Sequence, residues 1–373
     1  MKNILAIFGT RPEAIKLAPV ISKIMKNDDF NLKICVTGQH RELLDDVLDI
    51  FKINPDYKLN IMSPNQTLTD ITSKVLVQLE PILHELAPDI VIVHGDTTTA
   101  FSASLAAFYQ KISIAHVEAG LRTYDSLDPF PEEINRRLIA TVARYHFAPT
   151  AIAKKNLLNE GVSDSAITVT GNTSIDALRQ LFKEIDNNKS LLESLSRKFA
   201  FISQEEKIVL VTAHRREQDE ESLRQLCNAL RDISAWEDVH VIFPVHPSAR
   251  IRSSIEKNIG KSDSVTLINP LSYPEFIFML RRADLVMTDS GGVQEESVSV
   301  GVPTIILRKK TERIEVSNLS GVKVGCYDSK TLVSNAAQFL SNGKNNKLRQ
   351  EINTLFGEGD AASKIIKILM EQV

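Results

Sequence analysis

Short apolar runs alternate with helical stretches along most of the chain. In the first half these runs are "ILAIFGT", "KICVTG", "DIVIVHGD", "SIAHVEAG", "RYHFAPT" and "AITVTGN". In the second half they are "KIVLVTAH", "VHVIFPVH", "SVTLINP", "ADLVMTDSGG" and "VPTIILR". Each run is nearly continuous, without apolar and polar alternation, which is typical of parallel strands covered by helices on both faces. The pattern therefore predicts βαβ units and parallel sheets, an α/β fold.

The alternation weakens between about residues 180 and 206, where the sequence is polar and charged. We therefore predict two doubly wound Rossmann-like domains with a cleft between them, at residues 1–185 and 205–355. Residues 356–373 contain "DAASKIIKILMEQV", which predicts a closing helix that packs back on the first domain.

Composition narrows the class of protein. The 373 residues are 43% hydrophobic and 24% charged, with a net charge of −3 and no basic block, so neither nucleic acid nor a membrane surface is an expected partner. Cys35, Cys227 and Cys326 are far apart and indicate reduced thiols instead of a disulfide framework or zinc site. The first apolar run ends at Gly9, too early for a signal peptide or membrane span. A cytoplasmic, soluble protein is predicted.

Polar residues follow the apolar runs in both halves. Ligands of open parallel sheets bind outside the carboxyl ends of the strands, so these residues predict the binding cleft. They are Gly9-Thr10-Arg11, Gln39-His40, Gly95-Asp96, Glu118, His214-Arg215-Arg216, His246 and Asp289-Ser290-Gly291-Gly292.

The stretch "FGTRPEAIK" opens the first predicted helix. Thr10 and Glu13 have capping-box spacing, which a well-capped helix alone would explain. Arg11, however, places a cation in the first turn against the helix dipole, which favours a role in holding an anion. Lys16 is either a surface lysine or a second substrate contact.

The stretch "MTDSGGVQEES" combines two glycines with two carboxylates. We expect Ser290 to cap the helix, and the amides around Gly291 and Gly292 to bind phosphate. Glu296, one turn later, would accept hydrogen bonds from ribose hydroxyl groups, so the pattern predicts a nucleoside diphosphate ligand. The alternative is a glycine turn packed closely on its neighbour. Neither the P-loop pattern nor Gly-x-Gly-x-x-Gly after the first strand is present, which disfavours an ATPase and a simple NAD dehydrogenase.

Carboxylates in the first half indicate proton transfer. Asp96 and Glu118 each follow an apolar strand, and Glu132 opens a helix in "PFPEEINRR". Simpler explanations are open: Asp96 has the position of an N-cap, and Glu132/Arg136 and Glu133/Arg137 have the i,i+4 spacing of a solvated helix face. His94, His116, His146 and His246 lack the spacing of a helix-borne metal pair, so no metal site is predicted.

Several motifs in order along the chain resemble those of the non-hydrolysing UDP-N-acetylglucosamine 2-epimerases. They are "FGTRPEAIKLAP", "GQHRELLD", "VHGDTTT", "HVEAGLRT", "PFPEEINRR", "HFAPT", "VTGNTSIDAL", "TAHRRE", "DSGGVQEE", "TER" and "FGEGDAASKI". The resemblance implies a GT-B fold and a homodimer that interconverts UDP-GlcNAc and UDP-ManNAc for cell-surface polysaccharide synthesis. Elimination of UDP would give 2-acetamidoglucal, and re-addition would give the epimer, without NAD or metal. The chain departs from the family pattern at Ser248, Ala249 and Ile314, and has Asn65 where some members have an arginine.

The resemblance also assigns roles to individual residues. The implied catalytic residues are Asp96, Glu118, Glu132 and His214. The implied substrate-binding residues are Arg11, Lys16, His246, Phe276, Ser290, Gly291, Gly292, Glu296 and Arg313. A possible regulatory loop comprises Gln39, His40 and Arg41. Alternative functions are a hydrolysing epimerase, a GT-B glycosyltransferase and a nucleotide-sugar sensor without turnover.

Overall fold

The computed structural model describes residues 1–38, 41–63, 66–213, 220–245, 249–260, 262–308, 313–325, 328–343 and 346–372. The chain divides into two compact units, residues 1–177 with 355–373 and residues 178–354. Helices α7 (Thr173–Asn187) and α8 (Lys189–Lys198) occupy the polar stretch in which the apolar alternation weakens.

The first unit is built on a seven-stranded parallel sheet. Its strands are β1 (Lys2–Phe8), β2 (Phe30–Val36), β3 (Tyr57–Lys58), β4 (Ile90–His94), β5 (Ser113–Val117), β6 (Tyr145–Ala148) and β7 (Ile167–Val169). Its other helices are α1 (Arg11–Ile24), α2 (Arg41–Ile50), α3 (Leu68–Leu86), α4 (Thr98–Tyr109), α5 (Glu132–Val142), α6 (Ala151–Asn159) and α16 (Ala361–Gln372). The strand order is β3-β2-β1-β4-β5-β6-β7, so the winding direction reverses between β1 and β4.

The second unit repeats this plan with a six-stranded parallel sheet. Its strands are β8 (Lys207–Thr212), β9 (Val239–Pro244), β10 (Val265–Ile268), β11 (Leu285–Thr288), β12 (Thr304–Ile306) and β13 (Val322–Val324). Its remaining helices are α9 (Glu220–Ser234), α10 (Ala249–Ile259), α11 (Tyr273–Arg282), α12 (Gly291–Ser299), α13 (Ile314–Ser317), α14 (Ser329–Asn342) and α15 (Asn346–Phe356). The order β10-β9-β8-β11-β12-β13 places the reversal between β8 and β11.

The central strands are buried along their whole length, as their continuous apolar sequences predict. Every residue of β4 is buried, and Leu5, Val91 and Val93 pack with Val75 and Leu79 in the core between the sheet and α3. Burying each such side chain stabilises the fold by about 1.5–3 kcal/mol relative to leaving it in water. A separate core fills the second unit around Phe243, Met287 and the buried face of α9.

The last helix packs on the first unit. The carboxylate of Asp176 accepts hydrogen bonds from the amides of Ala361 and Ala362 at 3.2 and 3.0 Å, which caps the start of α16. At its other end, the Lys2 ammonium group donates to the carbonyl oxygens of Leu369 and Met370 at 3.1 and 2.9 Å. These bonds hold α16 on the first unit, where it also packs against α1.

Candidate functional site

The two reversal points define where a ligand binds in a doubly wound fold. In the first unit, the turn after β1 contains Gly9-Thr10-Arg11 and the turn after β4 contains Gly95-Asp96-Thr97. Glu118 directly follows β5, the next strand in the sheet. Polar residues expected at strand ends therefore meet at one edge.

The turn after β1 is fixed by a buried carboxylate. Glu13 Oε2 accepts hydrogen bonds from the amides of Gly9 and Thr10 at 3.0 and 2.7 Å, which confirms the predicted capping box. The Thr97 hydroxyl donates to Glu13 Oε1 at 2.6 Å, so the same side chain also holds the turn after β4. Burial raises the pKa of Glu13, and these hydrogen bonds oppose that rise. Arg11, the first residue of α1, is half-buried.

Gly9 is required by the close approach of two neighbouring turns. A Cβ atom at this position would lie 2.1 Å from Thr37 Oγ1 and 2.7 Å from Thr99 Oγ1. The two hydroxyl oxygens are 3.0 Å apart and hydrogen-bonded to each other. The turn after β1 is therefore packed directly against Thr37, which follows β2, and against Thr99 in α4, which leaves the turn little freedom.

Glu118 lies in a charged and sheltered environment. Its carboxylate pairs with the ammonium group of Lys16, and both side chains are 7% exposed. His94 Nε2 lies 3.5 Å from the other carboxylate oxygen. The backbone of Glu118 has φ +63°, a left-handed conformation that is uncommon for glutamate and that concentrates at functional sites. The sequence was consistent with Lys16 either on the surface or in contact with substrate. In the structure Lys16 is buried and pairs with Glu118, a predicted catalytic acid.

Asp96 is held by α5. Arg136 Nη2 and Nε donate to Asp96 Oδ2 at 2.5 and 3.1 Å, and the side-chain amide of Asn135 donates to the Asp96 carbonyl oxygen at 2.9 Å. Asp96 is not the N-cap of α4, which was one of the alternatives. That position belongs to Thr97, whose hydroxyl accepts from the Ala100 amide at 3.0 Å. The Asp96 carboxylate therefore binds Arg136 instead of capping α4.

The interpretation of "EEINRR" as a solvated helix face is wrong for two of its residues. Glu133 and Arg136 are 0% and 3% exposed, and Glu133 Oε2 accepts from Arg136 Nη1 at 3.0 Å. Arg137 lies 3.7 Å from Glu160 and not on Glu133. The i,i+4 spacing fixes which side chains are neighbours on a helix, but it does not fix which face is turned toward the sheet edge. Glu132, the first residue of α5, is half-buried.

Two other histidines near this edge are neutral. His116 Nε2 bonds to the Gly95 carbonyl oxygen at 2.7 Å, and burial lowers the pKa of His116 to about 3. Burial also lowers the pKa of His146 to about 4. Within the described ranges, no group of three or more His, Cys, Asp or Glu residues could hold a metal ion.

In the second unit, the turn after β11 leads into α12. Ser290 occupies the N-cap position, but its hydroxyl makes no capping hydrogen bond to α12, contrary to the prediction. The backbone amide of Ser290 instead donates to the hydroxyl of Thr288 at 3.0 Å, so the turn is held by the last residue of β11. A Cβ atom at Gly292 would meet nothing within 4 Å in the described structure, which argues against close packing as the reason for this glycine. Because α12 begins at Gly291, its first backbone amides lie at this turn.

The two carboxylates of α12 have different partners. Glu295 accepts a hydrogen bond from Arg313 Nε at 2.6 Å, and the two side chains are 2% and 10% exposed. Glu296 accepts from the hydroxyl of Tyr273 at 2.9 Å. Phe276, one turn after Tyr273 on α11, is 7% exposed. Arg313 therefore balances the charge of Glu295, which explains how α12 can carry two adjacent carboxylates.

Several predicted residues cannot be placed in this geometry. His214, His246, Gln39 and His40 lie outside the described residues, and so does the side chain of Arg41. No helix in the described part of the chain is long and apolar enough to cross a membrane.

Comparison with known proteins gives the family. The family model for UDP-N-acetylglucosamine 2-epimerase matches residues 22–370. The UDP-N-acetylglucosamine 2-epimerase of Escherichia coli strain K12 is 44% identical over 368 residues, which cover 98% of this chain and 98% of that enzyme. The chain belongs to the UDP-N-acetylglucosamine 2-epimerase family.

Solved structures of UDP-N-acetylglucosamine 2-epimerases agree with this assignment. The crystal structure of the Neisseria meningitidis enzyme bound to UDP-GlcNAc matches with a TM-score of 0.90 and 39% identity, over 99% of this chain and 100% of that chain. The Methanocaldococcus jannaschii enzyme in complex with UDP-GlcNAc and UDP matches with a TM-score of 0.83 and 34% identity, over 99% of each chain. The predicted α/β fold of two doubly wound, GT-B-type units is confirmed.

The motif resemblance and the predicted enzyme class, an epimerase among the isomerases, are likewise confirmed. Membership of the 2-epimerase family does not separate hydrolysing from non-hydrolysing enzymes, so the non-hydrolysing reaction stays a prediction. The sequence did not predict that Glu13 binds the Thr97 hydroxyl, that His94 lies near Glu118, or that Arg136 binds Asp96. The available signal was that Glu13, His94 and Arg136 each lie two to four residues from a predicted site residue.

Proposed function

We propose that the chain epimerises carbon 2 of UDP-N-acetylglucosamine to give UDP-N-acetylmannosamine, reversibly and without hydrolysis. The observation that supports this most is the pair of carboxylates at the β1/β4 reversal. Asp96 pairs with Arg136 and Glu118 pairs with Lys16, so each carboxylate has a cationic partner. Carboxylates in fixed positions can act as general base and general acid, and epimerisation at carbon 2 needs one of each.

The proposed reaction needs groups that move protons and groups that stabilise departing diphosphate. The hydrogen on carbon 2 becomes acidic only when the anomeric bond to UDP breaks, and its loss leaves 2-acetamidoglucal. We assign proton transfer to Asp96, Glu118, Glu132 and His214. Arg11 at the start of α1 would stabilise the leaving diphosphate, because a cation or a helix N-terminus lowers the energy of developing negative charge. Lys16 acts on this chemistry through Glu118.

We assign nucleotide binding to residues 205–355 and acid–base chemistry to residues 1–185, with His214 as the one acid–base residue outside that range. Glu296 would accept the ribose hydroxyl groups, since Tyr273 already orients its carboxylate. The amides of Gly291 and Gly292 and the Ser290 side chain would bind diphosphate. Phe276 would contact uracil, and His246 and Arg313 the diphosphate and sugar. The Neisseria meningitidis and Methanocaldococcus jannaschii relatives with bound UDP-GlcNAc support this substrate class.

The same proposal includes a homodimer in the cytoplasm, with residues 356–373 packed on the first domain and Gln39, His40 and Arg41 in a regulatory loop. Sedimentation would test the dimer.

One NMR experiment tests the reaction. Purified protein with UDP-GlcNAc in heavy water should form UDP-ManNAc with deuterium at carbon 2, without added NAD or metal. Asp96→Asn, Glu118→Gln and Glu132→Gln should each lower turnover by about a hundredfold or more while UDP still binds. Asp164→Asn is the control, because this carboxylate is 71% exposed.

The products also separate the alternatives. A hydrolysing epimerase would release free ManNAc and UDP at the rate of turnover. A glycosyltransferase would leave UDP-GlcNAc unchanged without an acceptor. Full turnover in all three carboxylate variants would contradict the proposed roles.

A further inference from the structure

Arg136 is a buried cation between two carboxylates, and one of them is the proposed catalytic Asp96. We propose that Arg136 is a positioning residue, which keeps Asp96 ionised and in one orientation for proton transfer. This inference rests on the proposed epimerase reaction. The inference gives a role to Arg136, a residue whose i,i+4 spacing from Glu132 was also consistent with a solvated helix face.

The contact geometry favours a fixed orientation of Asp96. Arg136 Nε and Nη2 both donate to Oδ2 of Asp96, at 3.1 and 2.5 Å, so one carboxylate oxygen receives two charge-assisted bonds. Asn135 fixes the backbone of the same residue through its carbonyl oxygen. Neighbouring residues of α5 thus hold both the side chain and the main chain of Asp96.

Glu133 fixes Arg136 from the other side. Glu133 is fully buried and accepts the Arg136 Nη1 bond on Oε2. Its two oxygens also accept the amides of Thr123 and Tyr124 at 3.0 and 3.1 Å. The guanidinium group is therefore tied to the backbone of the segment after β5, and it has little freedom to leave Asp96.

Exposure within this cluster decreases away from Asp96. The exposed fraction of the side chain is 26% for Asp96, 4% for Arg136 and 0% for Glu133. A buried ion pair by itself is weak evidence for stability, because desolvation of both charges offsets their attraction. An arrangement that presents only one carboxylate to solvent is better explained by a role for that carboxylate.

Other titratable and charged groups lie on the elements that surround Asp96. They are His94 in β4, Glu118 after β5, Glu13 and Lys16 on α1, and Glu132 and Glu133 on α5. Removal of Arg136 takes away the cation that lies 2.5 Å from the Asp96 carboxylate, which favours the protonated form of Asp96.

The test compares Arg136→Gln and Arg136→Lys with Arg137→Gln, a matched control on the next position of α5 whose side chain is 49% exposed. Epimerisation is followed by NMR from pH 5 to 9, with UDP affinity by calorimetry and melting temperature for each variant. In Arg136→Gln we expect kcat to fall about a hundredfold, as for misplaced catalytic groups. Its acidic limb should move upward by roughly 1–3 pH units, while UDP affinity stays within twofold.

Arg136→Lys keeps the charge and loses the two-bond geometry. It should therefore lower kcat with a smaller displacement of the acidic limb. Arg137→Gln should behave as the wild type. If Arg136→Gln does not fold, Arg136→Lys and Glu133→Gln replace it, and kcat and the position of the acidic limb are measured for both.

The outcomes separate the two proposals. A wild-type protein that does not epimerise UDP-GlcNAc refutes the proposed function. An active wild type whose Arg136 variants keep a normal kcat per folded molecule and an unmoved acidic limb overturns the role of Arg136, even if their melting temperatures fall.

Discussion

Acidification should destabilise the first unit through two buried histidines on neighbouring strands. His116 and His146 lie opposite each other in β5 and β6 and are 0% and 2% exposed. Burial is the main cause that lowers the pKa of His116 to about 3 and that of His146 to about 4. Both rings therefore stay neutral in the folded protein at pH 5.

The magnitude follows from proton linkage. Histidine in the unfolded chain has a pKa of about 6.5, so the unfolded state gains protons below that pH while the folded state does not. The stability from each neutral ring is present above about pH 6.5 and is lost as the pH falls toward the folded pKa values. Each pH unit in this window is worth about 1.36 kcal/mol, so at pH 5 each histidine costs about 2 kcal/mol and the pair about 4 kcal/mol.

Amide hydrogen exchange in β5 and β6 measures this loss, with exchange rates corrected for pH. The single tryptophan, Trp236, lies in the second unit, so its fluorescence reports separately on that unit. His146→Phe removes one titrating ring and should lose about 2 kcal/mol less than the wild type between pH 7 and 5. His84→Asn, at an exposed position of α3, is the control. Equal losses in the wild type and His146→Phe would refute the reasoning.

Three further predictions follow from individual contacts. Glu296→Gln should weaken UDP binding by about 1.5–3 kcal/mol, because it removes a charged acceptor. Tyr273→Phe should weaken it by about 0.5–1.5 kcal/mol, because it removes only the bond that orients Glu296. If calorimetry gives both variants the UDP affinity of the wild type, the ribose role of Glu296 is contradicted. Gly9→Ala should destabilise the first unit by about 1–3 kcal/mol, since its Cβ would lie 2.1 Å from Thr37 Oγ1; an unchanged melting temperature would show that the turn relaxes. Asp176→Ala should cost about 1 kcal/mol and expose α16 to protease, because it removes a helix cap; wild-type resistance to cleavage would refute this.

Local features of the chain were sufficient to predict most of the strands and the polar residues at their carboxyl ends. Continuous apolar runs identified the buried strands, since parallel strands between two helical layers have no polar face. The capping box at Thr10 and Glu13 was predictable because its bonds span four residues. The edge strands β3 and β13 were not predicted, because Tyr57–Lys58 and Val322–Val324 lie in sequence without a continuous apolar run.

The partners of the site residues were decided only by the tertiary structure. Lys16 and Glu118 are 102 positions apart, and Asp96 and Arg136 are 40 apart. The local sequences do not predict these ion pairs, because the pairs depend on the strand order. That order places β4 between β1 and β5. The sequence determines which residues can be buried and which can be charged. The order of the strands and the face that each helix turns toward them determine which charge meets which, because side chains from distant segments interact only once packing has brought them together.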